Sequence, residues 1–131
     1  MKVQNIYELA ESLADHWSPQ VIASVNDQYI KLAKIENQLA WHTHQDEDED
    51  EAFFIIKGEM KIEYKDCTAH LKKGDFHVVP KGTPHNPVAI TESCWIMLIE
   101  SKSTLHTGEV QTEKTKSLQQ QLASGEVKND H

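Results

Sequence analysis

The chain has 131 residues, and its 13 Lys and Arg against 21 Asp and Glu give a formal charge of −8, a length that suits one domain with a working core. That acidic balance argues against nucleic acid and anionic membrane surfaces as partners, since both reward clustered Lys and Arg. No stretch approaches the roughly 20 apolar residues of a membrane span, and Met1–Asn5 lacks the basic start and apolar run of a signal peptide, so a cytoplasmic location is the expectation.

In chain order, Asn5 is placed to cap a helix, with Glu8 in the capping-box position. Ile6, Leu9, Ala10 and Leu13 fall on one helical face, and Asp15–Pro19 ends the element, because proline disfavours helix at the residue before it. This short helix is expected to lie across one opening or edge of the domain. From Gln20 the period changes to two. Val21, Ala23 and Val25 alternate with Ile22 and Ser24, Asn26-Asp27 reads as a hairpin turn, and Tyr29–Ile35 as the returning strand. After a turn at Asn37-Gln38, Leu39–His44 reads as a strand whose Ala40, His42 and His44 share a face.

Glu51–Ile56 is a continuous apolar strand after its first residue. Beyond Gly58, Met60, Ile62 and Tyr64 alternate with Glu59, Lys61, Glu63 and Lys65, the pattern of a half-buried strand with one wet face. Ala69–Lys72 and Phe76–Val79 are short strands around a Lys73-Gly74-Asp75 turn. The rigid turn Pro80–Pro84 delivers His85, and Cys94–Glu100 is the last strong strand. Many short strands with regular turns predict an all-β sandwich or barrel. The expected division is a lead-in with the helix over 1–19, a barrel over 20–112 and a polar tail over 113–131. In that tail Leu118 and Leu122 allow one helical turn, and residues past Gly125 are expected to be loose. Cys67 and Cys94, without paired spacing, are expected as two buried free thiols. His16, His70, His106 and His131 have no partner that the sequence identifies.

Chemistry concentrates between Trp41 and Gly58. His42 and His44, at i and i+2 on a strand, point the same way. Six acids run from Asp46 to Glu51, and His85 follows a Pro-Gly turn farther on. Imidazole suits zinc, copper, nickel and iron, and carboxylate widens the range toward manganese. Three histidines and one carboxylate would leave coordination positions open to water or a ligand, as in catalytic rather than structural sites. The competing reading is bland: His-x-His alone is a weak signal, the acidic run suits a solvated loop, and His85 could be a surface residue.

The segments Trp41–Gly58 and Gly74–His85 resemble the two motifs of the cupin superfamily, G-x5-H-x-H-x(3,4)-E-x6-G and G-x5-P-x-G-x2-H-x3-N. Here His42-Thr43-His44, Glu51 and Gly58 match the first motif, and Gly74, Pro80, Gly82 and His85 the second. The resemblance covers residues 20 to 100 and is nearest to small single-domain, RmlC-like cupins of the mannose-6-phosphate isomerase-like group. It implies an all-β double-stranded β-helix, or jelly-roll, barrel with a short N-terminal helix. It also implies the metal ligands His42, His44, Glu51 and His85, and a homodimer.

This chain departs from the pattern in three places. Six residues rather than three or four separate His44 from Glu51, Glu36 replaces the opening glycine, and Ala89 replaces the closing asparagine. The spacing to Gly58 favours Glu51 over Glu47, with Asp48 and Glu49 left as substitutes. Phe53, Ile55, Met60 and Ile62 are expected inside the barrel, so these residues, Ala40 and His77 are the candidates to line a pocket. The functional expectation is a cupin binding a divalent transition metal (Fe, Mn, Ni, Zn or Cu) and a small molecule, acting as an oxygenase, isomerase or lyase with catalytic residues unassigned. The alternative is a non-catalytic small-ligand binding or sensing cupin, with or without metal.

Overall fold

The computed structural model describes residues 1–13, 19–36 and 49–102. The expected strand Leu39–His44, with Ala40, His42 and His44, lies outside the described residues, as do the Asn37-Gln38 turn, Asp46 to Asp48 and the polar tail.

The described residues form one helix, α1 (Ile6–Glu11), and eight strands: β1 (Gln20–Val25), β2 (Gln28–Ile35), β3 (Glu51–Lys57), β4 (Glu59–Glu63), β5 (Thr68–Lys72), β6 (Phe76–Val79), β7 (Asn86–Ala89) and β8 (Cys94–Ser101). The strands pair antiparallel in two sheets, ordered β1-β2-β8-β3-β6 and β5-β4-β7. The β1–β2 hairpin turns on Asn26, whose φ of 54° is one that asparagine tolerates better than most residues. Strand β8 is the sheet's spine: Cys94–Ser101 pair residue by residue with Ile35–Gln28 on one side, and β3 lies on the other.

Side-chain parity places the core between the sheets. Ala33 and Ile35 of β2, Phe53 and Ile55 of β3, Cys94, Ile96 and Leu98 of β8, and Met60 and Ile62 of β4 are all buried in one apolar cluster. Each large aliphatic side chain so buried contributes on the order of 1.5–3 kcal/mol. The result is the jelly-roll β-barrel expected from the sequence.

The opposite face of the larger sheet carries a second cluster of Leu32, Ile56 and Ile22, and Ala10 and Leu13 complete it. The helix therefore covers the outer face of that sheet and not an opening of the barrel. Asn5 caps it as expected, its side chain accepting from the Glu8 backbone N–H at 3.0 Å. Lys34, pointing outward from β2, donates to the Leu13 carbonyl at 2.9 Å just past the helix end.

Three further expectations need correction. The sequence pattern assigns no strand to Asn86–Ala89, where Pro87 cannot donate to a ladder. Among the described residues β7 pairs with β4 alone, and Pro87 lies opposite Ile62. Cys67 is exposed in the β4–β5 turn rather than buried; Cys94 is buried, and both are free thiols. His70 also has a partner, Glu59 Oε1 at 3.2 Å across the β4–β5 pair.

Candidate functional site

At one end of the barrel the inward parity of the larger sheet passes from aliphatic to charged side chains. Lys31 continues the face of Ala33 and Ile35, Glu100 that of Ile96 and Leu98, and Glu51 that of Phe53 and Ile55. These three residues stand on the adjacent strands β2, β8 and β3, and Glu51 is the direct cross-strand partner of Glu100. All three are buried. Lys31 Nζ lies 2.6 Å from Glu100 Oε1, with the two side chains 1% and 2% exposed. Burial and then the Glu51 charge push the Glu100 carboxyl up to about 8, against the pull of Lys31. Two carboxyls on directly paired residues cannot both ionise cheaply.

His85 enters from the other motif. The turn before it is tied to the end of the acidic run, since the Lys81 backbone N–H donates to Asp50 Oδ1 at 2.9 Å. Asp50 is exposed whereas Glu51 is buried, so the chain changes from wet loop to barrel wall between those two acids. His85 is fully buried, and its Nδ1–H donates to the Thr83 carbonyl at 2.8 Å. A carbonyl can only accept, so in the neutral imidazole this bond puts the proton on Nδ1 and leaves the lone pair on Nε2. Nε2 faces Glu51 Oε1 at 3.5 Å. That is longer than the 2.7–2.9 Å typical of a charge-assisted hydrogen bond. It suits two donors sharing one small cation, each at about 2.0–2.2 Å.

Aromatic residues wall this end. Phe53 meets the His85 ring edge-on with centroids 6.4 Å apart, and the Tyr64 ring lies 6.5 Å from it. The Tyr64 hydroxyl is 2.7 Å from His77 Nε2. Burial, then the charges of Cys67 and Glu51, push the Tyr64 phenol up to about 12, so it is a neutral hydroxyl near pH 7. Burial first and His85 second hold the His77 imidazole below its ordinary range, which suits a lone pair on Nε2 that accepts from Tyr64. Below His85, the buried Asn86 donates to Glu63 Oε1 at 2.9 Å and joins β7 to β4.

The fold thus brings Glu51 and His85 together, with Phe53 and His77 beside them, while Ile55, Met60 and Ile62 lie in the apolar core. His42, His44 and Ala40 fall outside the described residues. Among the described residues no group of three His, Cys, Asp or Glu converges on one point. Lys31, Glu100 and the contact of Tyr64 with His77 are parts of this end that sequence reasoning did not single out, although His77 itself was a pocket candidate. Their signal was parity alone: Lys31 and Glu100 stand in register with inward aliphatic neighbours.

A jelly-roll barrel with a His and a Glu meeting at one end, carried by the two motifs, defines a cupin. The chain belongs to that family: residues 28–99 match the family described as Cupin domain. A curated relative, an uncharacterized protein YdbB of Bacillus subtilis, is 38% identical over 85 residues, which cover 64% of this chain and 74% of that one. Among solved structures, a cupin-2 domain containing protein from Shewanella frigidimarina superposes with a TM-score of 0.71 at 40% identity, over 76% of this chain and 94% of its own. Protein NMB1881 from Neisseria meningitidis gives 0.68 at 26% identity, over 76% and 99%. Among the described residues no helix is long and apolar enough to cross a membrane.

Proposed function

We propose that this cupin binds one divalent transition metal through His42, His44, Glu51 and His85 and uses it on a small molecule, as a metalloenzyme of the oxygenase, isomerase or lyase kind. One observation carries the reading: the lone-pair nitrogen of a buried, tautomer-fixed histidine faces the oxygen of a buried carboxylate at 3.5 Å. The donor set fits such an ion, with imidazole and carboxylate both able to hold iron, manganese, nickel, zinc or copper. When bound, the ion would supply a Lewis acid and open coordination positions for substrate.

The chain's own residues supply the rest. Thr83 and the Pro80–Pro84 turn orient His85, and Phe53 excludes water from its edge. Tyr64 presents a neutral hydroxyl held against His77, a group able to hydrogen-bond a ligand oxygen. With Ile55, Met60 and Ile62 filling the barrel, a ligand is placed at the charged end. Ligand binding without turnover is the alternative, and steady-state assays with carbonyl, sugar-phosphate and thiol substrates under oxygen separate the two. A homodimer suits the exposed apolar residues Phe76 and Val78 on β6, an edge strand among the described residues, and light scattering gives its mass directly.

Metal analysis of protein purified without nickel resin tests the centre. Wild type is expected to hold close to one ion per chain and His85→Ala to lose most of it. Full stoichiometric metal in His85→Ala would refute the assignment.

A further inference from the structure

The turn that carries His85 has to be held against the strand that carries Glu51, and no backbone ladder does it. Strands β3 and β6 pair from Phe54 opposite Phe76 to Glu51 opposite Val79. By that register the next pair would be Asp50 with Pro80, and proline has no N–H to give. Beyond Pro80 the chain leaves the larger sheet and crosses to β7 of the smaller one, so neither sheet fixes His85 relative to Glu51. At the end of the ladder a side chain makes the connection instead: Asp50 Oδ1 accepts the backbone N–H of Lys81 at 2.9 Å. The short aspartate side chain is suited to this, since it readily bonds backbone groups in turns.

The contacts run on through the turn. The Thr83 hydroxyl donates to the Lys81 carbonyl at a longer 3.4 Å, and His85 Nδ1–H donates to the Thr83 carbonyl at 2.8 Å. His85 Nε2 then faces Glu51 Oε1 at 3.5 Å, and Glu51 is the chain neighbour of Asp50. The links close a circuit from Asp50 to Lys81, Thr83, His85 and Glu51, and back to Asp50. From this circuit we infer that Asp50 is a positioning residue for the proposed metal centre: by holding the Lys81 N–H it sets the Pro80–Pro84 turn, and His85 with it, at the spacing from Glu51 that one ion needs. This rests on the reading of Glu51 and His85 as ligands. The hold requires an acceptor oxygen at position 50 and not a charge, so asparagine should serve there and alanine should not. Partners that orient a ligand typically alter metal affinity by about 10–100-fold, and a bond open to solvent belongs at the lower end of that range.

Metal-free full-length wild type, Asp50→Asn and Asp50→Ala are titrated with Zn²⁺ and, separately, with Mn²⁺ in competition with a chelator. The urea midpoint of each metal-free protein is measured alongside. Affinity is expected within about threefold of wild type for Asp50→Asn and about 10-fold weaker for Asp50→Ala. Because Asp50 is exposed, the three metal-free midpoints should agree within about 0.5 M. Equal affinity in all three proteins would leave the bond without a part in the centre and overturn the inference alone. Equal loss in both variants would overturn it too, by assigning the effect to the charge of the loop. A midpoint of Asp50→Ala well below that window would make the bond a staple of the fold and not of the centre, which again overturns it. Wild type that binds neither ion would overturn the metal centre itself and the inference with it.

Discussion

Gly58 lies seven residues after Glu51, closing β3, and replacing it with alanine tests the geometry of that corner. Its φ is +84°, and a Cβ built there meets the Ser93 carbonyl oxygen at 2.5 Å, Thr91 Oγ1 at 2.6 Å and Cys94 Cα at 3.2 Å. Two of those atoms are backbone at the entry to β8 and cannot swing aside. The third is committed as well, since the Thr91 hydroxyl accepts from the Glu59 N–H at 3.0 Å and donates to the Ser93 carbonyl at 2.8 Å. Left-handed backbone costs a non-glycine residue roughly 1–2 kcal/mol, overpacking a further 1–3 or so, and a disrupted hydrogen bond about 1. Against these stands a gain of about 0.4–1 kcal/mol from a less flexible unfolded chain.

Gly74 supplies the control, because its φ is +90° but a Cβ there meets nothing within 4 Å. Gly74→Ala should cost roughly 0–1.5 kcal/mol, the dihedral strain less the unfolded-chain gain. Gly58→Ala should cost about 2–5 kcal/mol once the collisions are added. Urea unfolding followed by tryptophan fluorescence measures both, with an unchanged m-value as the sign that the same transition is being compared. If the two substitutions fall within about 1 kcal/mol of each other, the close approach of β3's end to β8 is not what this geometry says it is.

Three further predictions concern the charged end and its surroundings. Lys31→Ala alone should cost about 3–5 kcal/mol, since it leaves Glu100 buried without its partner, whereas Lys31→Met/Glu100→Met should be neutral or stabilising; equal destabilisation in urea would contradict this. His77 has a folded pKa below its ordinary value of 6.5. The stability it contributes is therefore present above that value and lost as pH falls through the folded pKa; an imidazole proton shift titrating at or above 6.5 by NMR would refute it. Thiol titration with an aromatic disulfide at pH 8 should find Cys67 reactive in the folded protein and Cys94, buried and pushed up to about 12, reactive only after unfolding.

The strands were legible where the period of two was clean. Met60, Ile62 and Tyr64 against Glu59, Lys61 and Glu63 gave β4, and Cys94–Glu100 gave β8 to within one residue. Strand β7 escaped because Pro87 reads as a breaker; its pairing with β4 is a property of the sheet, which no local window contains. The helix was placed correctly in sequence and wrongly in space, since an amphipathic face states that it packs but not against what. At the candidate site, His85 and Glu51 were legible through the spacing of the two motifs. Lys31 and Glu100 were not, because charged residues are ordinarily taken as exposed. Their burial follows only when three strands are laid side by side, with Glu51 opposite Glu100.

The strand order has a consequence for how the protein is made. Strands β2 and β3 are not neighbours in the sheet; each pairs with β8, which is the last of the described strands to be synthesised. Until Cys94–Ser101 has emerged, β2 and the β3–β6 pair have no ladder in common, and the inward faces of Ile35 and Ile55 have nothing between them. The closing step therefore joins partners far apart in the chain, the kind of contact whose loop entropy makes folding slow. A truncation at residue 93 would lack the central strand as well as half of the buried ion pair. It should behave as an unfolded, aggregation-prone chain and not as a slightly destabilised cupin.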